Sequence, residues 1–409
     1  MSVVGIIAEY NPFHNGHQYQ IEKAKALTGA TYAVVVMSGN FVQRGTPAIA
    51  DKHTRASMAL QSGADLVLEL PGYYATASAE TFAFGSVSLL HQLSFVDFLS
   101  FGCETPNIQA MHELAQLILD EPQPVKETIL QLKKQGISYP AARQKALLSY
   151  LKQQSLSQED LADYESILTN PNNILALEYI KALIRLQSSI TPVPVQRTGA
   201  HYHDTTLHHA FTSASGIRNN YIKTQTLSTI APYVPPNALH CLELAEHHTF
   251  PVTMDDFSSA LYYKLLQTDH LETYFDITSD FANKIKKNLT YDMSFSTFVE
   301  QLKSKDQVYT AICRNLLHIL LDITEQDVCQ PPAYTQLLGL KKAASHLLKT
   351  PAAIPVITKV ANAKKLLSPA SYALFKKELK MTDLYHRICY EKFHSKIKTP
   401  YQQNPVILP

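Results

Sequence analysis

Glycine is scarce in this chain, 13 residues of 409, and nine of the 13 fall at or before position 102. Glycine supplies tight turns and close backbone approach, so the turn-dependent chemistry belongs to the first quarter. Cysteine is sparse and scattered, at Cys103, Cys241, Cys313, Cys329 and Cys389. None forms a C-x-x-C pair, which leaves no indication of a zinc site or a dithiol redox motif. The pattern fits a reducing compartment. No apolar run approaches the roughly 18 residues of a membrane span. The opening stretch, MSVVGIIAEYNP, has no basic segment ahead of its apolar residues and does not read as a secretory signal. A cytoplasmic location is expected. An excess of one charge is also missing: 36 Lys and Arg face 35 Asp and Glu, which excludes an all-over polycation or polyanion.

What is present is a globular composition, 45% apolar and 17% charged, long enough for two or three domains. The charge is unevenly placed. Lys341–Pro409 carries 13 basic and three acidic side chains, a net +10, and the remaining 340 residues carry −9. Such asymmetry points to a polyanion, nucleic acid above all, at the basic end. The bland alternative is a basic helical surface that binds nothing.

The first hundred residues alternate strand and helix signals. Apolar strands are expected at Ser2–Ala8, Tyr32–Met37, Asp65–Leu70 and Val96–Phe101, with helical spacing between them. Continuous apolar strands alternating with helices indicate an α/β, Rossmann-like parallel sheet covered on both faces. A polar helical insert spans about 105–188, and Ile190–Gln196, with two prolines, reads as an edge strand. From about residue 226 the pattern reads as helical. The expected organisation is therefore a nucleotide-binding α/β domain over 1–225 and a basic α-helical region over 226–409.

The sharpest motif follows the first strand: Glu9-Tyr-Asn-Pro-Phe-His-Asn-Gly-His17, containing H-x-G-H at the mouth of a helix. A helix N-terminus offers free N–H groups and a positive dipole to phosphate. Two imidazoles add donors for charge developing on phosphorus, and ligands of open parallel sheets bind beyond the strands' carboxyl ends. A second element, Phe211-Thr-Ser-Ala-Ser-Gly-Ile-Arg218, sets Ser213, Ser215 and Arg218 at another turn into a helix. Alone it would be a capped helix with a surface arginine. With H-x-G-H it completes a triphosphate site.

These two elements resemble the nucleotidyltransferase superfamily. The longer runs AEYNPFHNGHQYQI, MSGNFVQRGTPAIADKHTRASMAL, DLVLELP, FGCE, PNNILALEY and QRTGAHYHD resemble a narrower group, the tRNA(Met) cytidine acetate ligases. The likeness is specific over about the first 220 residues and weaker beyond. In TQLLGLKKAASHLL, Gln336 stands where the family pattern has arginine. The resemblance implies ATP-dependent activation of acetate as acetyl-adenylate. Acetyl transfer to the wobble cytidine of elongator tRNA(Met) would follow, giving N4-acetylcytidine. It implies His14 and His17 as catalytic residues. For ATP binding it implies Ile7, Ala8, Glu9, Tyr10, Asn11, Pro12, Phe13, Asn15, Gly16, Gln18, Tyr19 and Gln20. Gly102, Asn172 or Asn173, Arg197, Ser213, Ser215 and Arg218 complete the nucleotide set. Mg²⁺ bridging the phosphates is expected.

Lys341, Lys342, Lys376, Lys377, Lys380 and Arg387 are candidates to hold tRNA phosphates, which position without specifying sequence. Tyr385, Tyr390 and Phe393 read first as core and second as base-stacking side chains. Arg44, Asp51, Lys52 and Arg55 border the same crevice, as site residues or as a helix cap with surface charge. His201, His203, His208 and His209 do not follow a standard zinc spacing. His203 and Asp204, flanked by Arg197 and Ser213, are instead expected near the phosphates. Two other readings compete: a small-molecule adenylyltransferase acting on pantetheine phosphate or a mononucleotide, and a non-enzymatic tRNA-binding protein. The basic C-terminal region argues against the first and the intact motifs against the second.

Overall fold

The computed structural model describes residues 2–154, 156–197, 212–304 and 307–409. Its first part runs β1 (Val3–Ala8), α1 (Asn15–Thr28), β2 (Tyr32–Ser38), α2 (Lys52–Gln61), β3 (Leu66–Leu70), α3 (Ala79–Gln92) and β4 (Phe98–Cys103). The insert comprises α4 (Ile108–Asp120), α5 (Gln123–Lys134), α6 (Tyr139–Leu151), α7 (Gln158–Thr169) and α8 (Pro171–Arg185). The edge strand β5 (Thr191–Gln196) and α9 (Ala214–Thr224) follow. The remainder contains α10 (Pro236–Ala245), α11 (Ser258–Leu266), α12 (Ser279–Asn288), α13 (Phe295–Leu302) and α14 (Tyr309–Leu320). It closes with β6 (Thr335–Lys341), β7 (Val356–Ile357), α15 (Pro369–Phe393) and β8 (Val406–Leu408). Among the described residues no helix is long and apolar enough to cross a membrane.

One eight-stranded sheet organises the molecule, in the order β8-β6-β3-β2-β1-β4-β5 with β7 beside β6. The expected parallel sheet is mixed, because β3 pairs antiparallel with β6 while the other sheet pairings are parallel. The C-terminal region is mostly helical, as expected, and three strands within it that its pattern does not announce, β6, β7 and β8, extend the N-terminal sheet. Period-two alternation divides the sheet between two cores. Val34, Val36, Leu66 and Leu68 pack with α3 and α8 on one face. Val4, Ile6, Ala33, Val35 and Met37 pack with α1, α2, α9 and α10 on the other. Gly5 admits α3 to close contact: a Cβ there would lie 3.0 Å from both Leu90 methyls.

The strand order places the site. From β1 the chain moves outward through β2 and β3, then returns to the other side of β1 as β4. The order reverses between β1 and β4, the switch point where open α/β sheets leave a crevice beyond their carboxyl ends.

Candidate active site

β1 ends into a constrained turn: Tyr10 has φ 48° and Asn11–Pro12 is cis. The Asn11 side chain accepts the Ile49 N–H at 2.7 Å, which ties this turn to the segment before α2. His14 then caps α1. Its Nδ1 accepts the Gly16 N–H at 3.1 Å, and His17 Nδ1 accepts the His14 N–H at 3.2 Å. The two histidines thus form a reciprocal capping box, the arrangement usually made by Ser or Thr with Glu or Gln. Their rings stack with centroids 3.6 Å apart, and Tyr10 meets His17 edge-on at 4.8 Å.

This geometry fixes the protonation. Burial, then the nearby Arg197 and Arg218 charges, pushes the His14 pKa down to about 3. Burial, His14 and Arg197 hold His17 well below its usual value. Both rings are neutral near pH 7. With Nδ1 accepting, the ring proton sits on Nε2 in each. Each histidine therefore presents one N–H donor and no net charge.

These residues line a cleft of about 210 Å³. From residues 7–20 it takes Ile7, Ala8, Glu9, Tyr10, Asn11, His14, His17 and Gln20, and it adds Gly102, Asn172, Arg197, Ser213, Ser215 and Arg218. A smaller adjoining compartment adds Gly16 and Tyr19, with Val195, Gln196 and Thr212 on its far side. Pro12, Phe13, Asn15 and Gln18 line neither. Phe13 is fully buried in the core beneath the turn, Asn15 donates to the Pro232 carbonyl, and Gln18 donates to Glu22. Asn172 and Asn173 separate cleanly. Asn172 lines the cleft and donates to Glu104. Asn173 is buried, accepting the Glu104 and Thr105 N–H groups. A Cβ on Gly102 would meet only Arg197, at an ordinary 3.5 Å, so the neighbouring protein atoms do not require glycine there. What a side chain would occupy is cleft space.

The cations come from separate elements. Ser213 caps α9 through the Gly216 N–H. Arg218 donates to the Asn11 carbonyl at 2.6 Å and to Ser215 Oγ at 3.1 Å. Arg44 donates to the same Ser215 oxygen at 3.2 Å. Arg55 lies underneath, fully buried, donating to the carbonyls of Glu9, Ser38, Gly39 and Ala50. It clamps the ends of β1 and β2, a role that a single buried arginine does not reveal in sequence.

Lys52 is not in the cleft. It is buried against Glu69 at 2.7 Å and donates to Thr382 of α15. Asp51 caps α2 and accepts the Thr249 hydroxyl. His201, His203, Asp204, His208 and His209 lie outside the described residues. Sequence reasoning missed Phe82, Leu175 and Tyr179, which form an apolar wall of the cleft. In sequence they are ordinary apolar positions on helices, with no signal to separate them from core.

Of the proposed tRNA contacts, Lys342, Lys376, Lys380 and Arg387 are exposed. Lys341 is half-buried beside Asp65, Lys377 pairs with Asp327 at 2.6 Å, and Arg387 pairs with Glu391 at 2.7 Å. Tyr385 is core, donating to the Ala48 carbonyl, while Tyr390 is exposed beside Arg387.

A neutral histidine box on a helix N-terminus, facing arginines across a switch-point cleft, defines the nucleotidyltransferase class. The family model described as HIGH Nucleotidyl Transferase matches residues 1–400. The chain is 38% identical over 391 residues to a tRNA(Met) cytidine acetate ligase of Thermoanaerobacter sp., covering 94% of this chain and 95% of that one. It is 36% identical to the Clostridium perfringens ligase over the full length of both. The Thermotoga maritima TmcAL crystal structure without ligand superposes with a TM-score of 0.92 at 28% identity, covering both chains completely. The same protein bound to alpha-thio ATP gives 0.90 at 27% identity. The chain belongs to the tRNA(Met) cytidine acetate ligase family.

Proposed function

We propose that this chain is an ATP-dependent ligase that activates acetate as acetyl-adenylate and acetylates the wobble cytidine of elongator tRNA(Met). The observation that carries the reading is the pair of neutral, Nδ1-anchored histidines facing Arg197 and Arg218 at the switch point. Attack of a carboxylate on the α-phosphorus needs no protein nucleophile. It needs fixed donors around the phosphates and a stabilised pyrophosphate leaving group. His14 and His17 supply two Nε2–H donors held by the backbone, so little reorganisation is required as charge develops. Ser213, Ser215, Arg197 and Arg218 surround the same space. Gly102, Asn172 and the smaller compartment leave room for the nucleoside.

Among the described residues no group of three or more His, Cys, Asp or Glu is placed to hold a metal. In this reading Mg²⁺ would come with ATP and would neutralise phosphate charge, while Ser213, Ser215, Arg197 and Arg218 hold the phosphates. The cytidine amine then attacks the acetyl carbonyl, AMP leaves with the electron pair of the broken C–O bond, and the amine proton passes to water. Residues 1–225 hold this chemistry, and the basic surface of 226–409 holds the tRNA in the cytoplasm. The test is incubation of the pure protein with ATP, Mg²⁺, labelled acetate and bulk bacterial tRNA, followed by nucleoside mass measurement. A labelled acetylcytidine that vanishes without ATP is the expected result. Its absence, with ATP bound and competent tRNA present, would sink the reading.

A further inference from the structure

One wall of the cleft is a hairpin, built as carefully as the nucleotide motifs that it touches. Residues Phe41–Val42 and Thr46–Pro47 pair antiparallel as a short hairpin, with Arg44 in its turn. Gly45 has φ 75°, and a Cβ there would collide with the backbone of Cys313 and Arg314 in α14. The turn is thus seated against a helix. Glu9 accepts the Gln43 N–H at 3.0 Å, and the Gln43 side chain donates to the Ala77 carbonyl. An arginine on a turn fixed from three sides is held in place before any ligand arrives.

Arg44 reaches the nucleotide motif through one atom. Its guanidinium and that of Arg218 both donate to Ser215 Oγ, at 3.2 and 3.1 Å. Both guanidiniums line the cleft and bring positive charge to it, which attracts an anion. The same cleft has apolar lining, with Phe82 from α3 and Leu175 and Tyr179 one turn apart on α8. A cation and apolar side chains in one cleft match a small amphipathic anion. Glu9 on the same wall disfavours a second negative charge.

We propose that this hairpin side of the cleft is the acid subsite. Arg44 holds the carboxylate of a short monocarboxylic acid, and Phe82 with Leu175 limits its chain length. The proposal rests on the function given above and names the residues that choose the acid. One carboxylate oxygen bonds to the α-phosphorus as the bond to the bridging oxygen breaks. That oxygen leaves with the electron pair on pyrophosphate, and no proton is transferred. Arg44 steers the carboxylate toward phosphorus from beside Arg218, with which it shares Ser215.

The experiment uses full-length protein with acetate, propionate and butyrate in competition. Acid-dependent pyrophosphate release and acylcytidine masses are read together, and ATP affinity is measured by calorimetry. Phe82→Ala and, separately, the less buried Leu175→Ala should each raise the propionate-to-acetate ratio by about tenfold, the discrimination of one methylene in an apolar pocket. Arg44→Gln should raise the acetate KM at least as far and leave ATP affinity within about twofold, because it removes the carboxylate's partner and none of the histidine donors. The inference is overturned if folded Phe82→Ala or Leu175→Ala keeps the wild-type ratio. It is also overturned if Arg44→Gln weakens ATP as much as acetate. Acid-dependent pyrophosphate release without acylcytidine would reject the tRNA reading and keep the subsite; no dependence on any acid would reject both.

Discussion

The two faces of α15 make opposite use of charge. Its inner face, Phe375, Glu378, Leu379, Thr382 and Tyr385, is buried, with Phe375 and Leu379 packed against Tyr334 and Ile357. Every polar group there is committed: Glu378 accepts the Gly72 N–H, Thr382 accepts Lys52, and Tyr385 donates to Ala48. Its outer face shows Lys376, Lys380 and Arg387 to solvent. The inner face resembles the cleft, where histidines and arginines are fixed by backbone contacts. Buried charge requires particular partners and therefore specifies geometry. Exposed charge tolerates many arrangements, which suits a backbone of phosphates. A helix with both faces couples a floating charge surface to a rigid site.

The sharpest way to break this contrast is at Lys52. Lys52→Met leaves the Glu69 carboxylate buried beside Glu378, whose pKa burial and Glu69 already push up to about 8. Removing one partner of a buried pair costs about 3–5 kcal/mol. Urea unfolding should report a loss of that order, with ATP affinity of the folded fraction retained. A loss below about 1 kcal/mol, the range of exposed pairs, would show that the pair is not isolated from water.

In the cleft, the largest effect on activity is expected at the histidines. His14→Ala or His17→Ala removes one fixed donor and one capping acceptor. Loss of a preorganised donor typically lowers kcat by about 10²–10³-fold. Acetate-dependent pyrophosphate release should fall this far while tRNA binding by the outer face is kept. If both activities fell together, the separation of the two surfaces would fail.

Protonation sharpens the same point. His14 titrates near 3 when folded against 6.5 as its ordinary value. The unfolded chain therefore takes up a proton first as pH falls. Stability from this group is complete above about pH 6.5 and erodes between 6.5 and 3. Unfolding midpoints of wild type and His14→Gln should accordingly converge toward the acid end. Ring ¹⁵N shifts of His14 should show a neutral Nε2–H imidazole down to pH 5; an imidazolium signal at pH 6 would overturn its neutrality, and an Nδ1–H signal the tautomer.

Legibility in the sequence followed locality. Helix α1 and strands β1 to β5 lie within a residue or two of where their apolar periodicity places them, because alternation and caps act over neighbouring residues. The histidine motif was legible for the same reason: strand, turn and helix are contiguous. Strand β6 was not, since its register with β3 joins Gln336 to Glu69 across the chain and no neighbouring residue announces such a partner. Phe82, Leu175 and Tyr179 were hidden differently. A side chain lining a cleft and one filling a core obey the same helical pattern, and only the packing of α3 on α8 separates them.

The smallest effects belong to the outer face. Lys376 and Lys380 are one turn apart and exposed, and Lys376 stands 5.6 Å above the Tyr372 ring. Each contributes point charge to a surface without a fixed acceptor. Replacing either with alanine should weaken tRNA binding only a few-fold at physiological salt and lower the slope of log K against log salt by about one per lysine. The loss should be the same for elongator tRNA(Met) and unrelated tRNA, because phosphate contacts carry no sequence information. Filter binding from about 50 to 200 mM salt would measure both quantities. A double variant that lost discrimination between tRNAs while keeping its salt slope would move these lysines from diffuse attraction to specific recognition, and α15 would then specify geometry on both faces.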